Sequence, residues 1–176
     1  MEEKITRLGT LNTHSFSAHL DRVKLQTGRN TERLWIDYPE AVAIIPFLSE
    51  NEIILVRQWR YAAGKETLEI PAGKMNYDES PDKAANRELL EETGYIANVL
   101  EPLVTYFPAY GYSNEVINLF VGKNLEKKGD LSAIDEISQI QIVTPKSLFE
   151  LVLQGKIMDA KTIIAAALLQ TGPKIP

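Results

Sequence analysis

The sequence predicts an α/β protein in which helices cover both faces of a mixed β-sheet, an α/β/α sandwich. Apolar, β-branched runs favour strands, and three segments with helix start and stop signals fall before and after pairs of those strands. The chain has 176 residues, of which 44% are hydrophobic. This is enough to bury one substantial core, so we expect one main domain.

The N-terminal stretch reads as a set of short strands separated by turn residues at Gly9, 27–30 and Pro39. We therefore expect residues 1–38 to form a β arm that precedes the main body. Residues 39–176 then form the main domain.

The main body opens with two apolar runs, 41–48 and 52–59, which are rich in β-branched residues and are joined by Ser49–Asn51. This pattern predicts a β-hairpin. The segment TLEIPAG, residues 67–73, reads as one further strand, and its end leads into a loop and then a helix.

That helix is predicted to begin at Pro81, with Ser80 as its N-cap, and to stop at Gly94. Proline suits the first helical position because its missing N–H has no helical partner there. Two strands are expected to follow, at 98–107 and 114–122. The loop between them, PAYGYS at residues 108–113, is the aromatic loop.

The C-terminal part reads as loop, strand and two helices. A polar loop over Gly129–Glu136 leads into an alternating run at 137–143, which predicts a strand. The pair Thr144–Pro145 then opens a second helix that stops before Gly155. Asp159 is placed to cap a third helix, whose apolar composition suits packing against a sheet.

Composition excludes several classes of function. The net charge is -5 and no basic stripe appears, so we expect no nucleic-acid partner. There is no cysteine, which excludes thiol nucleophiles, iron–sulfur clusters and disulfides. The histidines, His14 and His19, are the only two, so zinc sites and serine–histidine catalysis are poorly supported.

The sequence also bears on location. The N-terminus lacks the apolar core of a secretory signal, and no run of eighteen apolar residues could span a membrane. The lack of cysteine fits a reducing compartment. We therefore expect a cytoplasmic protein without a membrane partner.

The most informative segment, Gly73–Tyr95, gathers acids on one face of the predicted helix. Glu88, Glu91 and Glu92 are three and four residues apart or adjacent, so their carboxylates project from one side and repel each other. A hard divalent cation such as Mg²⁺ would hold them charged and would also bind substrate phosphates. The alternative is a solvated acidic helix in which Arg87 pairs with Glu91.

The spacing of this segment resembles the Nudix hydrolase signature. That signature is Gly, five residues, Glu, seven residues, Arg-Glu, an apolar residue, any residue, Glu-Glu, any residue, Gly and an apolar residue. The matching positions are Gly73, Glu79, Arg87, Glu88, Leu89, Glu91, Glu92 and Gly94. Tyr95 departs mildly from the usual aliphatic residue at the last position. So many fixed positions are far more specific than a lone short motif.

Beyond this signature, the chain resembles the ADP-ribose pyrophosphatase-like branch of the family along nearly its full length. The segments that carry the resemblance are VRQWRY, LEIPAG, GYSNE, the acidic loop before ISQIQIV, and GKIMDAKT. The resemblance implies a Nudix-type fold and cleavage of ADP-ribose to AMP and ribose 5-phosphate. It also implies Mg²⁺ as the cofactor, with Mn²⁺ as a possible substitute.

The resemblance further implies a homodimer, in which the N-terminal arm is a dimerisation element and helps to build the partner's pocket. One position departs from the branch, because Tyr110 stands where proline is usual. Other nucleoside diphosphate sugars and dinucleoside polyphosphates therefore stay open as substrates. A non-catalytic module that senses ADP-ribose or another nucleotide is a further alternative.

By resemblance, the principal metal ligands are Glu88 and Glu92, and the backbone carbonyl of Ala72 completes the protein's share of the shell. Glu91 would reach the metal directly or through water. These are oxygen donors, which Mg²⁺ prefers.

The catalytic candidates are Glu79, Arg87, Glu91 and Glu136. We expect Arg87 to orient carboxylates by bidentate pairing rather than to touch phosphate. Glu79 lies just before the helix and is read as part structural and part support for the ligands. In the family the general base often comes from a late loop, where Asp135 and Glu136 lie, and we favour Glu136. A solvated turn acid is the alternative.

The substrate-binding candidates are Arg33, Trp35, Arg60, Glu69, Tyr110, Gly111, Tyr112 and Glu115. By resemblance, Arg60 would contact the diphosphate or a ribose, and Glu69 would accept a ribose hydroxyl.

The remaining candidates would hold the base or a ribose, and each has a structural alternative. Arg33 and Trp35 in the arm would hold adenine by stacking, whereas a buried tryptophan in the core is the alternative for Trp35. The loop around Tyr110 and Tyr112 would stack a base or ribose, or would pack against its own strands. Glu115 would face the ligand, or is a strand-edge acid.

Overall fold

The structure, a computed structural model, describes residues 1–133 and 135–172. The chain folds into two units. The first comprises Met1–Glu40 and Tyr106–Ile117, and the second comprises Ala41–Thr105 and the chain from Asn118 onward.

The first unit is built on an antiparallel sheet of three strands in the order β1-β2-β3. The strands are β1 (Glu3–Asn12), β2 (Ser17–Lys24) and β3 (Asn30–Asp37). Gly28, with a φ of 84°, makes the turn between β2 and β3. The arm predicted for residues 1–38 is therefore β-structure, in fewer and longer strands than the sequence suggested.

Gly9 does not separate two strands, so that expectation was wrong. It lies inside β1, where the pairing with β2 shifts register between Arg7 and Gly9. A β-bulge absorbs the irregular residue and lets the strand continue. The turn falls later instead, where the Thr13 amide and hydroxyl both donate to the Phe16 carbonyl, at 3.0 Å and 2.7 Å.

The second unit is built on a seven-stranded sheet in the order β10-β5-β4-β9-β8, with β6 paired to β5 and β7 paired to β4. The strands are β4 (Ala41–Ser49), β5 (Glu52–Arg60), β6 (Lys65–Glu69), β7 (Ala72–Lys74), β8 (Tyr95–Tyr106), β9 (Ile117–Lys127) and β10 (Ile137–Val143). The predicted hairpin at the start of the main body is confirmed as β4 and β5.

The segment TLEIPAG forms two strands rather than the single predicted one. Pro71 has no N–H to donate, and its carbonyl accepts from the Ile44 amide at 2.9 Å. The chain thereby passes from the edge of β5 to the edge of β4, where Ala72 pairs with Ala43. This step brings Ala72 and Gly73 in front of the first helix.

The described residues form three α-helices, α1 (Pro81–Thr93), α2 (Pro145–Leu153) and α3 (Ala160–Thr171). The predicted start and stop signals are confirmed. Thr144 and Asp159 each accept a cap hydrogen bond, at 3.0 Å, from an amide in the first turn of α2 and α3. Ser80 stands at the N-cap of α1 without such a side-chain bond. None of these helices has the length and hydropathy needed to span a membrane.

The packing of α1 explains why an acid becomes buried. Ala85 and Leu89 pack into a core cluster with β4, β8 and β9, whose buried members are Val42, Ile44, Ala84, Ala85, Leu89, Ala97 and Phe120. Glu92 follows Ala85 by seven residues and Leu89 by three, so it lies on the same stripe of the helix. The helix therefore carries Glu92 inward with its apolar face.

Gly94 ends α1, and its backbone also binds the loop that leads to β10. Its φ is 77°, and its carbonyl accepts from the amides of Lys128 (2.9 Å) and Gly129 (3.2 Å). A Cβ at Gly94 would lie 2.3 Å from the Gly129 carbonyl oxygen. Glycine is needed here for its backbone conformation and for this close approach.

The variant Gly94→Ala should therefore lose more stability than a glycine variant with strain alone. Gly155, after α2, has a φ of 69°, and a Cβ at this residue would meet only open space, which makes it the matched control. We expect Gly155→Ala to cost about 1–2 kcal/mol of unfolding free energy and Gly94→Ala about 3 kcal/mol or more, since a backbone clash is added. Urea unfolding measures the free energy of unfolding of both variants. Equal losses would contradict the close contact between Gly94 and the Gly129 carbonyl.

Candidate active site

The acidic signature folds into a loop and helix that face β7. Gly73 lies so close to the helix that a Cβ there would be 2.1 Å from the carboxyl carbon of Glu88 and 2.2–2.3 Å from its oxygens. Only glycine leaves room for this carboxylate. The first residue of the signature thus clears the space that an acid on α1 occupies.

Arg87 links three of the four acids of the signature, and each of its five N–H groups has a partner. Nε and Nη2 donate to Glu79 at 2.9 and 2.8 Å, and Nη2 also donates to the carbonyl of Lys74 at 2.8 Å. Nη1 donates to Glu88 at 2.6 Å and to Glu91 at 3.4 Å. The hydrogen bonds from Arg87 to Glu79 are the main reason that the pKa of Arg87 is raised, so the guanidinium stays charged.

Glu79 anchors Arg87 from the loop before α1. Its carboxylate accepts both Arg87 bonds and also the amide of Asn76 at 2.9 Å. These hydrogen bonds, the Arg87 bonds first, lower the pKa of Glu79 to about 2. In this structure Glu79 therefore acts by holding Arg87 in place.

Glu92 is the buried acid of the site, with 4% of its surface exposed. Its carboxylate accepts the Ala72 amide at 3.2 Å. Burial raises the pKa of Glu92 to about 8, the negative charge of Glu88 adds to this, and the Ala72 bond and the charges of Lys161 and Arg60 oppose it. Among the described residues, no lysine or arginine nitrogen lies within ion-pair distance of Glu92.

Glu88 is intermediate in burial between Glu92 and Glu91. Burial raises its pKa, the Arg87 hydrogen bond opposes this, and the charges of Glu91 and Glu136 raise it further. Glu91 is about half exposed at the helix surface. The three helix acids thus differ in solvation although they share one signature.

These residues fit a divalent metal ion. In the part of the chain that the structure describes, no three acidic or histidine side chains already converge as ligands, and Arg87 Nη1 donates to Glu88 and Glu91. The donors available are carboxylate oxygens and backbone carbonyls, the set that Mg²⁺ and Mn²⁺ prefer. Burial and mutual repulsion disfavour the charge on Glu88 and Glu92, and a cation would offset both effects.

A cleft of about 500 Å³ opens above these acids. Its lining comprises Ala72, Gly73, Lys74, Asn76, Arg87, Glu88, Glu91, Glu92, Ser132, Ala133, Asp135 and Glu136. The cleft therefore joins the signature to the loop that was predicted to carry the general base.

That loop is tied to the end of α1 by backbone bonds that the sequence did not reveal. The amides of Ser132 and Ala133 both donate to the carbonyl of Glu91 at 3.0 Å. The Ala133 carbonyl in turn accepts from the amide of Glu136 at 3.1 Å. The backbone of Glu136 is thereby placed relative to the acids of the helix.

Glu69, which is predicted to accept a ribose hydroxyl, is surrounded by donors of the protein in this structure. It is 1% exposed, and its oxygens accept from Arg60 Nε (2.8 Å), Arg60 Nη2 (2.6 Å) and Thr67 Oγ1 (2.5 Å). Lys161 Nζ and Gln58 Nε2 are further donors to it. In this structure the lone pairs of Glu69 are therefore engaged by donors of the protein, and Glu69 holds Arg60.

Arg33 and Trp35, the two arm candidates, are engaged within the first unit. Arg33 pairs with Glu2 through Nε (3.0 Å) and Nη2 (2.5 Å) and is exposed. Trp35 Nε1 donates to Asp21 at 2.9 Å, and the indole ring lies 4.8 Å from the ring of His19. Trp35 is half-buried in this polar cluster, so packing within the arm is part of its role.

The aromatic loop is held beside β3 in the first unit. The Ile36 amide donates to the carbonyl of Tyr112 at 2.8 Å, and the Ile36 carbonyl accepts the Asn114 amide at 3.2 Å. The side chains of Tyr110 and Tyr112 are exposed, and the intervening Gly111 has open space around it. Glu115 is half-buried, and its amide donates to Ser113 Oγ at 3.1 Å.

The structure thus brings one subset of the predicted residues together in the second unit. This subset comprises Ala72, Glu79, Arg87, Glu88, Glu91, Glu92 and Glu136, with Arg60 and Glu69 elsewhere in the same unit. The other substrate candidates, Arg33, Trp35, Tyr110, Gly111, Tyr112 and Glu115, belong to the first unit. Lys161 was missed, because lysine is seldom buried unless it is paired and its partner Glu69 lies 92 residues away.

Comparison with known proteins identifies the family. The sequence pattern of the NUDIX domain matches residues 37–166. The chain belongs to the Nudix family. It is 37% identical over 153 residues to a methanol dehydrogenase activator of Bacillus methanolicus, and 34% identical over 155 residues to an ADP-ribose pyrophosphatase of Bacillus subtilis (strain 168). Each alignment covers 86% of this chain and 83% of the relative.

A solved structure of an ADP compounds hydrolase has the same fold as this Nudix protein. The TM-score is 0.82 at 23% identity, covering 96% of this chain and 94% of the other. The predicted α/β sandwich with a mixed sheet is therefore confirmed. The resemblance to Nudix hydrolases of the ADP-ribose pyrophosphatase-like branch is confirmed as well.

The donors that surround Glu69 lead to a prediction about pH. Burial opposes the charge on Glu69, but Arg60, Lys161 and Thr67 outweigh it and lower the pKa of Glu69 from 4.5 to about 2. Because the folded pKa is the lower one, Glu69 contributes about 3 kcal/mol above pH 4.5, and this is lost as the pH falls toward 2. An NMR titration of the side-chain carboxyls should find Glu69 ionised well below pH 4.5, and protonation near 4.5 would refute this.

Proposed function

We propose that this Nudix protein is a Mg²⁺-dependent pyrophosphohydrolase. It cleaves the diphosphate of ADP-ribose to AMP and ribose 5-phosphate, or the diphosphate of related nucleoside diphosphate sugars. The observation that carries the proposal is the pair of a buried Glu92 and a largely buried Glu88, both with raised pKa values and both lining one cleft. The relative from Bacillus subtilis that is named an ADP-ribose pyrophosphatase supports the substrate.

The metal would be held by Glu88, Glu92 and the backbone carbonyl of Ala72, with Glu91 reaching it directly or through water. When bound, Mg²⁺ neutralises charge on the diphosphate and lowers the pKa of a coordinated water. Mn²⁺ has similar ligand preferences and is expected to substitute. Arg87 would keep Glu88 and Glu91 oriented, and Glu79 would keep Arg87 oriented.

Glu136 would accept the proton of the attacking water. Three observations support this role: Glu136 borders the cleft, its charge acts on Glu88, and its backbone is placed relative to α1 through Ala133. A general base has to lie within reach of the proton that it accepts. Asp135 borders the same cleft and is the neighbouring candidate.

Several residues are proposed to contact the substrate. Arg60 would bind the diphosphate or the adjacent ribose, since Glu69 holds its guanidinium and its side chain is partly exposed. The contact with the nucleoside is proposed separately. Its candidates are Arg33, Trp35, Tyr110, Gly111, Tyr112 and Glu115.

A homodimer formed through the arm, residues 1–38, is part of the proposal. Several large apolar side chains of the arm's sheet are exposed, namely Ile5, Leu8, Leu11 and Leu34. Burying them against a second copy would remove apolar surface from water. A cytoplasmic location, no membrane partner and no nucleic-acid partner remain predictions of the sequence.

A second candidate function is regulation by nucleotide-dependent binding. The relative from Bacillus methanolicus is named as an activator of a dehydrogenase rather than as a hydrolase. Tyr110, in place of the usual proline, also leaves dinucleoside polyphosphates open as substrates. A non-catalytic sensor would bind a nucleotide without consuming it, which separates it from the enzyme by experiment.

A substrate panel tests the proposal. Purified protein with ADP-ribose, other sugar nucleotides or diadenosine polyphosphates should release AMP and ribose 5-phosphate from ADP-ribose only with Mg²⁺ or Mn²⁺. In Glu92→Gln this turnover should fall on the order of 10³-fold, because a ligand charge worth several kcal/mol is removed. The exposed acid Glu126 provides a control, Glu126→Gln, which should behave like the wild type. Tight nucleotide binding without turnover would favour the sensor instead.

Replacing Glu136 tests the general base. Glu136→Gln should lower kcat on the order of 10²–10⁴-fold and leave KM nearly unchanged, because a base acts mainly in the transition state. The matched variant is Asp135→Asn, which should retain most of the activity. Steady-state kinetics on ADP-ribose distinguish the two. If Asp135→Asn shows the large loss, the base is Asp135, and if only KM changes, neither acid is.

A further inference from the structure

Lys161, on the first turn of α3, is a buried cation that the mechanism above does not use. It is 7% exposed. Its Nζ donates to Glu69 Oε2 and, at 3.0 Å, to Asp159 Oδ1. A buried lysine is costly unless it is paired, and here two carboxylates pair with it.

Glu69 links this buried cation to a cation at the protein surface. Its Oε2 accepts from both Lys161 and Arg60, whereas its Oε1 accepts from Arg60 and Thr67. Lys161 is enclosed, but the Arg60 side chain is 44% exposed. Glu69 engages the Nε and Nη2 side of the guanidinium, so the Nη1 group lies outside the pair.

The same turn of α3 also fixes the backbone next to Glu69. The Ile70 amide donates to Thr162 Oγ1 at 3.0 Å. The Thr162 hydroxyl and amide donate in turn to Asp159 Oδ2, at 2.6 Å and 3.0 Å. One helix turn therefore holds both the side chain of Glu69 and the peptide that follows it.

From this geometry we infer that Lys161 is a positioning residue for substrate binding. Through Glu69, it fixes the guanidinium of Arg60 in the orientation that binds the anionic diphosphate or the ribose next to it. The inference rests on the proposed function for the identity of the substrate. The arrangement Lys161–Glu69–Arg60 itself is independent of that identity.

The physical reason lies in how Glu69 is held. With Lys161 present, Oε2 has a donor on its buried side and another toward solvent, so the carboxylate cannot follow Arg60 outward. Without Lys161, a buried lone pair loses its charged donor, which is unfavourable in a nearly dry site. Besides Arg60, the carboxylate then keeps only Thr67 on Oε1 and the longer bond from Gln58 on Oε2, so Oε2 is held less firmly and the Arg60 guanidinium gains freedom to turn with it.

Steady-state kinetics provide the first test. Lys161→Met should raise KM for ADP-ribose about tenfold, the loss expected for one misplaced contact of about 1.4 kcal/mol, and should change kcat less than about twofold. The matched control is Lys146→Met on the surface of α2, which should change neither value. If Lys161→Met leaves KM at the wild-type value while the wild type is active, the inference is wrong and the proposed function stands.

A double-mutant cycle separates positioning from general loss of structure. In an Arg60→Ala background, Lys161→Met should raise KM no further, because the group on which Lys161 acts is gone. A tenfold rise that persists in that background would overturn the inference. Lys161→Gln keeps a neutral N–H donor and should lie between the wild type and Lys161→Met; it also serves if the methionine variant does not fold.

NMR of the arginine side chains gives a readout that needs no substrate. In the wild type, Arg60 Nε–H should exchange slowly with solvent because Glu69 accepts it. In Lys161→Met the same proton should exchange faster and shift, while Arg87 Nε–H, bound to Glu79, should not change. An unchanged Arg60 signal would refute the inference even if ADP-ribose proved not to be the substrate.

Discussion

The set of hydrogen bonds that the Arg87 guanidinium donates is the interaction on which the rest of the site depends. It joins an acid from the loop, Glu79, to two acids of the helix, Glu88 and Glu91, and to the backbone before the loop. Three helix carboxylates within five residues would otherwise repel one another. Arg87 offsets part of that charge at Glu88 and Glu91, whereas the remaining helix acid, Glu92, is buried.

The phase of α1 relative to the core sets the character of each acid. Glu92 follows the stripe of Ala85 and Leu89 into the protein, Glu88 lies at the edge of that stripe, and Glu91 faces the solvent. Burial is therefore the main cause of the raised pKa values of Glu88 and Glu92. It also places the most strongly perturbed carboxylate of the helix next to the strand that carries Ala72, whose amide donates to it.

The features that sequence analysis predicted well are local. Pro81 and Gly94 bound α1 through effects at single residues, because proline fixes its own φ and glycine adopts the positive φ at the helix end. The spacing of the acids places their side chains on one helix face whatever surrounds them. The features it missed depend on contacts between distant segments. Glu69 and Lys161 are separated by 92 residues, so no local pattern shows that one holds the other. Likewise, the bond from the Ile44 amide to the Pro71 carbonyl joins distant segments, so the step from β6 to β7 was not visible in the local sequence.

The central claim is that Glu88, Glu92 and the Ala72 carbonyl form the protein's share of a divalent metal site. Crystals soaked in Mn²⁺, with data collected at a wavelength where manganese scatters anomalously, test it most directly. The account predicts an anomalous peak in contact with both carboxylates and that carbonyl, with Glu79 still bound to Arg87. A crystal without a peak there, or with the metal bound only by surface acids elsewhere, would contradict it.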